Sequence, residues 1–131
     1  MHFSDLVRPT MKINLWASLG YGAILLISPA LFCEIIDATA TNLSWLRTIG
    51  AALIGTNVVG SWLWLRAPSL DMGRVQLATA GMEAFAMTVS LALGEFTAQR
   101  IWMVQLSILL AIVVMIGLIP SGRRDFYNQN F

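Results

Sequence analysis

IWMVQLSILLAIVVMIGLIP, the stretch from Ile101 to Pro120, decides the fold class. It runs for 20 residues without an Asp, Glu, Lys or Arg. As an α-helix rising ~1.5 Å per residue it is ~30 Å long, the thickness of the hydrocarbon core of a bilayer. Its run from Ile108 to Met115 is apolar all round, so it faces lipid broadly or buries against a partner. Within 131 residues no soluble core is large enough to hide such a surface. Pro120, Ser121 and Gly122 stop the helix.

Working outward, three more apolar segments of similar length appear, from about residue 13 to 33, 46 to 65 and 75 to 94. In lipid the backbone amides of a span must be satisfied within it, so each is expected to be helical. Hydrophobic residues make up 57% of the chain and charged residues 11%, against about 25% charged in an average soluble domain. The expectation is one all-α domain over residues 1–131, a polytopic bundle of four antiparallel transmembrane helices. Ala67-Pro68-Ser69 breaks the chain between the second and third segments, making those two a tight hairpin. The first segment has the basic start of a signal peptide, and Ala38-Thr39-Ala40 resembles a cleavage site. Its apolar run exceeds the usual ~7–15 residues of a signal core, so an uncleaved helix is expected. A lipoprotein site at Cys33 is excluded by bulky Phe32 in front of it.

Basic residues set the orientation. Arg8, Lys12, Arg66, Arg74, Arg123 and Arg124 fall on one side of the spans, and only Arg47 and Arg100 on the other. Positive charge marks the cytoplasmic side, so both termini are expected there. Trp62 and Trp64 near that surface, and Trp45 and Trp102 near the opposite one, have the placement of interfacial anchors. The C-terminal run Arg123-Arg124-Asp125-Phe126-Tyr127 has the composition of a juxtamembrane anchor, with Phe131 beyond it. Small residues at Thr48, Ala52, Thr56 and Gly60 in the second segment, Ser18 and Gly22 in the first, and Ala80 and Ala84 in the third are expected to let helices approach closely.

Several chemistries are poorly supplied. Net charge is +1, which gives no basic field for nucleic acid. One cysteine, Cys33, permits no internal disulfide, and one histidine, His2, lies in the N-terminal tail. No catalytic residues, metal ligands or cofactor are expected. The residue that stands out is Glu83, about eight residues inside the third segment. An acidic side chain at such depth costs roughly 2.5–3.5 kcal/mol on insertion scales, and such groups face the bundle interior and find a partner. Counting from the cytoplasmic ends of their own segments, Asn57 and Tyr21 lie in the same layer. Gln76, Thr79, Glu83, Met87 and Ser90 share one helix face. Glu83, Asn57 and Tyr21 are therefore the candidate intramembrane site, read either as a protonatable group in a substrate or proton path or as a polar staple that fixes register. A second candidate is an outer rim of Arg47, Glu34, Glu95 and Arg100, with Asp37 and Gln105 nearby, where surface ion pairs or a docking edge for a protein or lipid headgroup are expected.

The run Leu46-Arg47-Thr48-Ile49-Gly50-Ala51-Ala52-Leu53-Ile54-Gly55, opening the second of four short spans, resembles the DoxX-like and related small bacterial membrane proteins. The resemblance implies a four-helix layout in a bacterial inner membrane. Small multidrug transporters are similar in having four spans and a single membrane glutamate, but theirs lies in the first span and this one in the third. Four-helix quinone-linked disulfide oxidoreductases need cysteine pairs that this chain lacks. Besides the lipid bilayer, the expected partner is an unlike membrane protein or a second copy of the chain. The leading expectation for function is an interaction or assembly role in a membrane complex. The alternative is a small transporter or proton-coupled carrier, oligomeric because four helices are few for a pathway, that uses Glu83. A lipid- or quinone-related enzyme is a minor third.

Overall fold

A computed structural model describes residues 2–39 and 42–131. Among these the regular structure is all helical. A 3₁₀ turn at Phe3–Leu6 leads into α1 (Val7–Ile27), followed by a short α2 (Pro29–Ile36). Then come α3 (Leu43–Arg66), α4 (Leu70–Ala92) and α5 (Ile101–Leu118). A second 3₁₀ turn, Ile119–Gly122, joins α5 to a short C-terminal α6 (Arg124–Asn130). Four helices, Phe3–Ile27, Leu43–Arg66, Leu70–Ala92 and Ile101–Gly122, are long and apolar enough to cross a membrane. Ala40, the last residue of the cleavage-like triplet, lies outside the described residues.

The first apolar segment, expected over residues 13–33, is two helices. α1 starts earlier because Pro9 sits in its first turn, where its missing N–H costs nothing. It ends at Ser28, whose φ of −139° and ψ of 68° are non-helical, because the residue before a proline is pushed away from helical geometry. Pro29 then opens α2. Asp37 closes α2 in left-handed geometry (φ 54°), with the Ala38 N–H donating to the Cys33 carbonyl at 2.9 Å. Gly94 (φ 69°) closes off α4 in the same way, and the Glu95 N–H reaches the Ser90 carbonyl at 3.0 Å. α4 begins at Leu70 rather than near residue 75, because Ser69 caps it by accepting the Met72 N–H.

Four arginines each serve the C-terminal end of a helix or helical turn. Arg8 donates to the Leu65 carbonyl at the end of α3, and Arg74 to the Gly122 carbonyl beyond α5. Arg47 donates to the Leu26 and Ile27 carbonyls at the end of α1, and Arg100 to the Ile35 carbonyl of α2 at 2.7 Å. The last carbonyls of a helix have no intrahelical partner and carry the negative end of its dipole, so a guanidinium satisfies both needs. These bonds stand where ion pairs were expected at the outer rim. The hydrogen bonds of Arg47 and Arg100 go to main chain, while Glu34, Asp37, Glu95 and Gln105 are exposed.

Of the small residues expected to allow close approach in α3, only Gly60 is buried. Thr48, Ala52 and Thr56 are exposed, and Gly50, Asn57, Gly60, Ser61 and Trp64 form the buried face. A π-helical turn over Ile54–Val58 rotates that face midway. There the Val59 N–H reaches back five residues to the Ile54 carbonyl. Gly22 of α1 meets Gly50 of α3, and Gly117 of α5 meets Thr10 of α1. Ser18, Gly22, Ala80 and Ala84 are buried as expected.

Val7, Met11, Trp64, Leu118 and Phe126 form a core cluster where the two chain ends meet, and Ala98, Val104 and Ile108 form a second at the far end. Trp64 is not a surface anchor. It is fully buried, its ring stacks 6.3 Å from that of Phe126, and its indole N–H donates to the Tyr127 hydroxyl at 2.8 Å. Tyr127 passes its own proton to the Ser121 carbonyl at 2.9 Å. α6 therefore folds back onto the helices. Tyr127→Phe is expected to leave the indole N–H without its acceptor and lower stability by about 1–2 kcal/mol, read as a lower thermal midpoint. Burial also raises the Tyr127 phenol above its ordinary value of 10.0, against the lowering effect of the Trp64 hydrogen bond. A raised phenol favours the fold while it is neutral. This contribution is complete below the unfolded value and is lost as the pH rises through the folded one, so wild type should soften at strongly alkaline pH more than Tyr127→Phe does.

Candidate functional site

Between the two clusters the helices part. A cavity of about 890 Å³ lies among α1, α4 and α5, with Phe32, Ile35 and Ile36 of α2 at one edge and Leu53 of α3 behind. Its wall is mostly apolar. Asn14, Ser18, Tyr21, Glu83 and Ser107 supply its polar side chains, and Glu83 is its only carboxyl.

Glu83 is held from α3. The side-chain amide of Asn57, which is 1% exposed, donates to both carboxyl oxygens at 2.9 and 3.1 Å. The expected Glu83–Asn57 pair is thus brought together. Asn57 sits within the π-helical turn, and its own oxygen lies 2.8 Å from the Thr56 hydroxyl. That hydroxyl is also 2.7 Å from the Ala52 carbonyl. A hydroxyl has one proton, so it serves one of these acceptors at a time. With an ionised Glu83 the Asn57 NH₂ faces the carboxylate, and Thr56 donates to the Asn57 oxygen. With a neutral Glu83 the amide turns over: the acid donates to the Asn57 oxygen, the NH₂ donates to Thr56, and Thr56 donates to Ala52. The two amide orientations are sterically equivalent. The site therefore holds a carboxyl group in either protonation state with only an amide rotation.

Tyr21 does not join this pair. It turns to α5, where its hydroxyl hydrogen-bonds the Ser107 hydroxyl, and its ring lies edge-on to Phe32 at 6.4 Å. Matching depth had placed it beside Glu83, but depth fixes only the layer. The direction in which a side chain leaves α1 is set by helix rotation, and Asn14, Ser18 and Gly22 take the face toward α3 and α4.

A second polar cluster, unexpected from the sequence, lies next to the cavity. Gln76 of α4, 1% exposed, accepts from Asn14 of α1 at 3.0 Å and from Ser61 of α3 at 3.1 Å. It donates to the Thr56 carbonyl in the π-helical turn at 3.1 Å. Asn14 also donates to Ser61 at 3.0 Å. Three helices are thereby tied by one amide, and Gly60 leaves the room for it, since a Cβ there would lie 2.0 Å from the Gln76 nitrogen. The signal was available: Gln76 lies seven residues, or two turns, before Glu83, and Asn14 lies four before Ser18. Of the expected polar face on α4, Thr79 bonds only its own helix, at the Val75 carbonyl. Cys33 is buried and free. Among the described residues no group of three or more His, Cys, Asp or Glu side chains is placed to hold a metal. Compared with known proteins, the chain matches no family model, no curated protein and no solved structure.

Proposed function

We propose that this chain is an integral membrane protein of four antiparallel spans with both termini cytoplasmic, and that it binds a lipophilic small molecule at Glu83, as a carrier or binding protein. The observation that carries the reading is the cavity of about 890 Å³, apolar in its walls and holding one carboxyl. Small-molecule sites have this form, typically ~300–1,000 Å³ with few polar groups. The spans are supported by four helices of sufficient length and apolarity, and the antiparallel order by the pairs Arg8–Leu65, Asn14–Ser61 and Gly22–Gly50 between α1 and α3. The orientation rests on the excess of Lys and Arg at the end carrying the termini. A bacterial inner membrane follows from the DoxX-like resemblance. Because helices of one chain line the cavity, which opens on one side between them, this reading does not require an oligomer.

The test uses the purified protein in lipid nanodiscs, with quenching of tryptophan fluorescence by a panel of neutral, cationic and anionic arylalkyl compounds. Trp16 and Trp102 border the cavity and report its occupancy. Saturable binding by at least one class is expected, together with its weakening in Ala86→Phe, which narrows the cavity at its exposed edge. Quenching that rises without saturation, and equally in wild type and Ala86→Phe, would show that the compounds only partition into lipid.

An assembly role is the second reading, favoured by one observation. Trp102, Leu106, Leu109, Val113 and Ile116 form a continuous exposed stripe along α5, each at least 44% exposed. Lipid or an unlike protein can cover it. Intact-complex mass measurement from native-like lipid particles separates them: a fixed stoichiometry with another protein supports the subunit, and the chain alone or paired with itself removes it.

A further inference from the structure

Counting protons in the cavity wall narrows the ligand, on the reading that the cavity binds a lipophile. Each deep polar group has already committed its donors to the protein. Both amide protons of Asn14 go to Ser61 and Gln76. Ser107 lies 2.9 Å from the Met103 carbonyl and also bonds the Tyr21 hydroxyl; with the Ser107 proton on Met103, Tyr21 is the donor between the two hydroxyls and its proton is spent too. Glu83 as an anion has no proton, and as a neutral acid it donates to Asn57. What these groups still offer is lone pairs: the carboxyl oxygens of Glu83, the phenol oxygen of Tyr21 and the amide oxygen of Asn14. Ser18 has the only uncommitted hydroxyl in the wall, and it serves in either sense. The indole N–H groups at the edge belong to Trp16 and Trp102, residues that are 67% and 56% exposed. No Lys, Arg or His lines the cavity.

We infer that the ligand is a lipophilic primary amine bound in its ammonium form, with its N–H groups on Glu83 and neighbouring oxygens and its apolar body against Leu25, Phe32, Phe96 and Val104. An ammonium carries three donors and the countercharge that Glu83 lacks in this wall. A quinone, ketone or ester brings only acceptors to a surface of acceptors. A fatty carboxylate or a phosphate adds like charge to Glu83. The aromatic rings of Tyr21, Phe32 and Phe96 also suit a cation near their faces and an aryl body between them.

The probes are phenylbutylamine, phenylbutanol, phenylbutyrate and the trimethylammonium counterpart of the amine, which share one apolar body. Binding is measured by tryptophan quenching with the full chain in nanodiscs of neutral phosphatidylcholine. The amine is expected to bind most tightly, by about tenfold or more over the alcohol and over the trimethylammonium compound, since a hydrogen bond to a charged group is worth about 1.5–3 kcal/mol. Phenylbutyrate is expected to show no saturable binding. Glu83→Gln should remove the amine's advantage, so that amine and alcohol bind within about twofold of each other in that variant, because the amide keeps the shape and an acceptor oxygen but carries no charge. Tyr21→Phe gives a second reading should Glu83→Gln fail to fold: the amine weakens and the Ser107 hydroxyl is left exposed. Equal binding of amine, alcohol and butyrate, or an amine advantage that survives in Glu83→Gln and in Tyr21→Phe, overturns the assignment while leaving a lipophile site. Absence of saturable binding by every probe overturns the lipophile reading itself.

Discussion

Gly50→Ala is expected to lower stability by about 3 kcal/mol or more, the upper part of what overpacking a tight interface costs. A Cβ at this position would lie 2.6 Å from the Leu26 nitrogen, 2.7 Å from the Gly22 carbonyl oxygen and 2.9 Å from the Leu25 Cβ. Two of these are backbone atoms of α1, so no side-chain rotation makes room. α1 and α3 must separate, and with them go the Arg47 bonds to the Leu26 and Ile27 carbonyls. Gly55→Ala, in the same helix, is the control. Nothing lies within 4 Å of its added Cβ. That change should be neutral or stabilise by up to ~1 kcal/mol, the usual difference between alanine and glycine in a helix. Both are measured as unfolding midpoints of the detergent-solubilised protein, by loss of helical circular dichroism. Equal midpoints for the two variants would show that α1 and α3 do not pack at Gly50.

Gln76→Leu is expected to cost about 2–5 kcal/mol, because it strands more than one buried polar group at once. Asn14 and Ser61 lose their shared acceptor, and the Thr56 carbonyl loses its side-chain donor. Asn14 and Ser61 are buried, 5% and 0% exposed, and leucine offers them nothing. The loss should spread to Glu83, since the π-helical turn that carries Asn57 is held by Gln76 at Thr56. Thr79→Val, one turn further along α4, removes only a bond to its own helix and should change stability by less than ~0.5 kcal/mol. The check is the same midpoint measurement, paired with ligand binding at a temperature where both variants are folded. A Gln76→Leu protein as stable as Thr79→Val would mean that the three-helix amide cluster does not form.

Much of this protein is fixed by composition and run length. IWMVQLSILLAIVVMIGLIP can only be a long apolar helix, and three companion segments of similar length follow from the same reading. Burial of Ser18, Gly22, Ala80 and Ala84 was legible from their spacing, because a helix of regular pitch puts positions four apart on one face. Asn57 beside Glu83 was legible too, since a short turn makes hairpin neighbours of their helices and a buried acid needs a partner. Three things required the tertiary structure. The π-helical turn at Ile54–Val58 shifts the phase of α3, so the stripe Thr48, Ala52, Thr56 faces out and Gly50 faces in. The rotation of α1 about its own axis sends Tyr21 to Ser107 and Asn14 to Gln76, and no depth count contains that angle. The return of α6 buries Trp64 under Phe126 and Tyr127, where a local reading of aromatic and basic residues expects a surface anchor. Hydrophobicity and length are properties of a segment alone. Helix phase and the pairing of side chains across helices are decided by which surfaces fit together, and that lies in the packing of the whole chain.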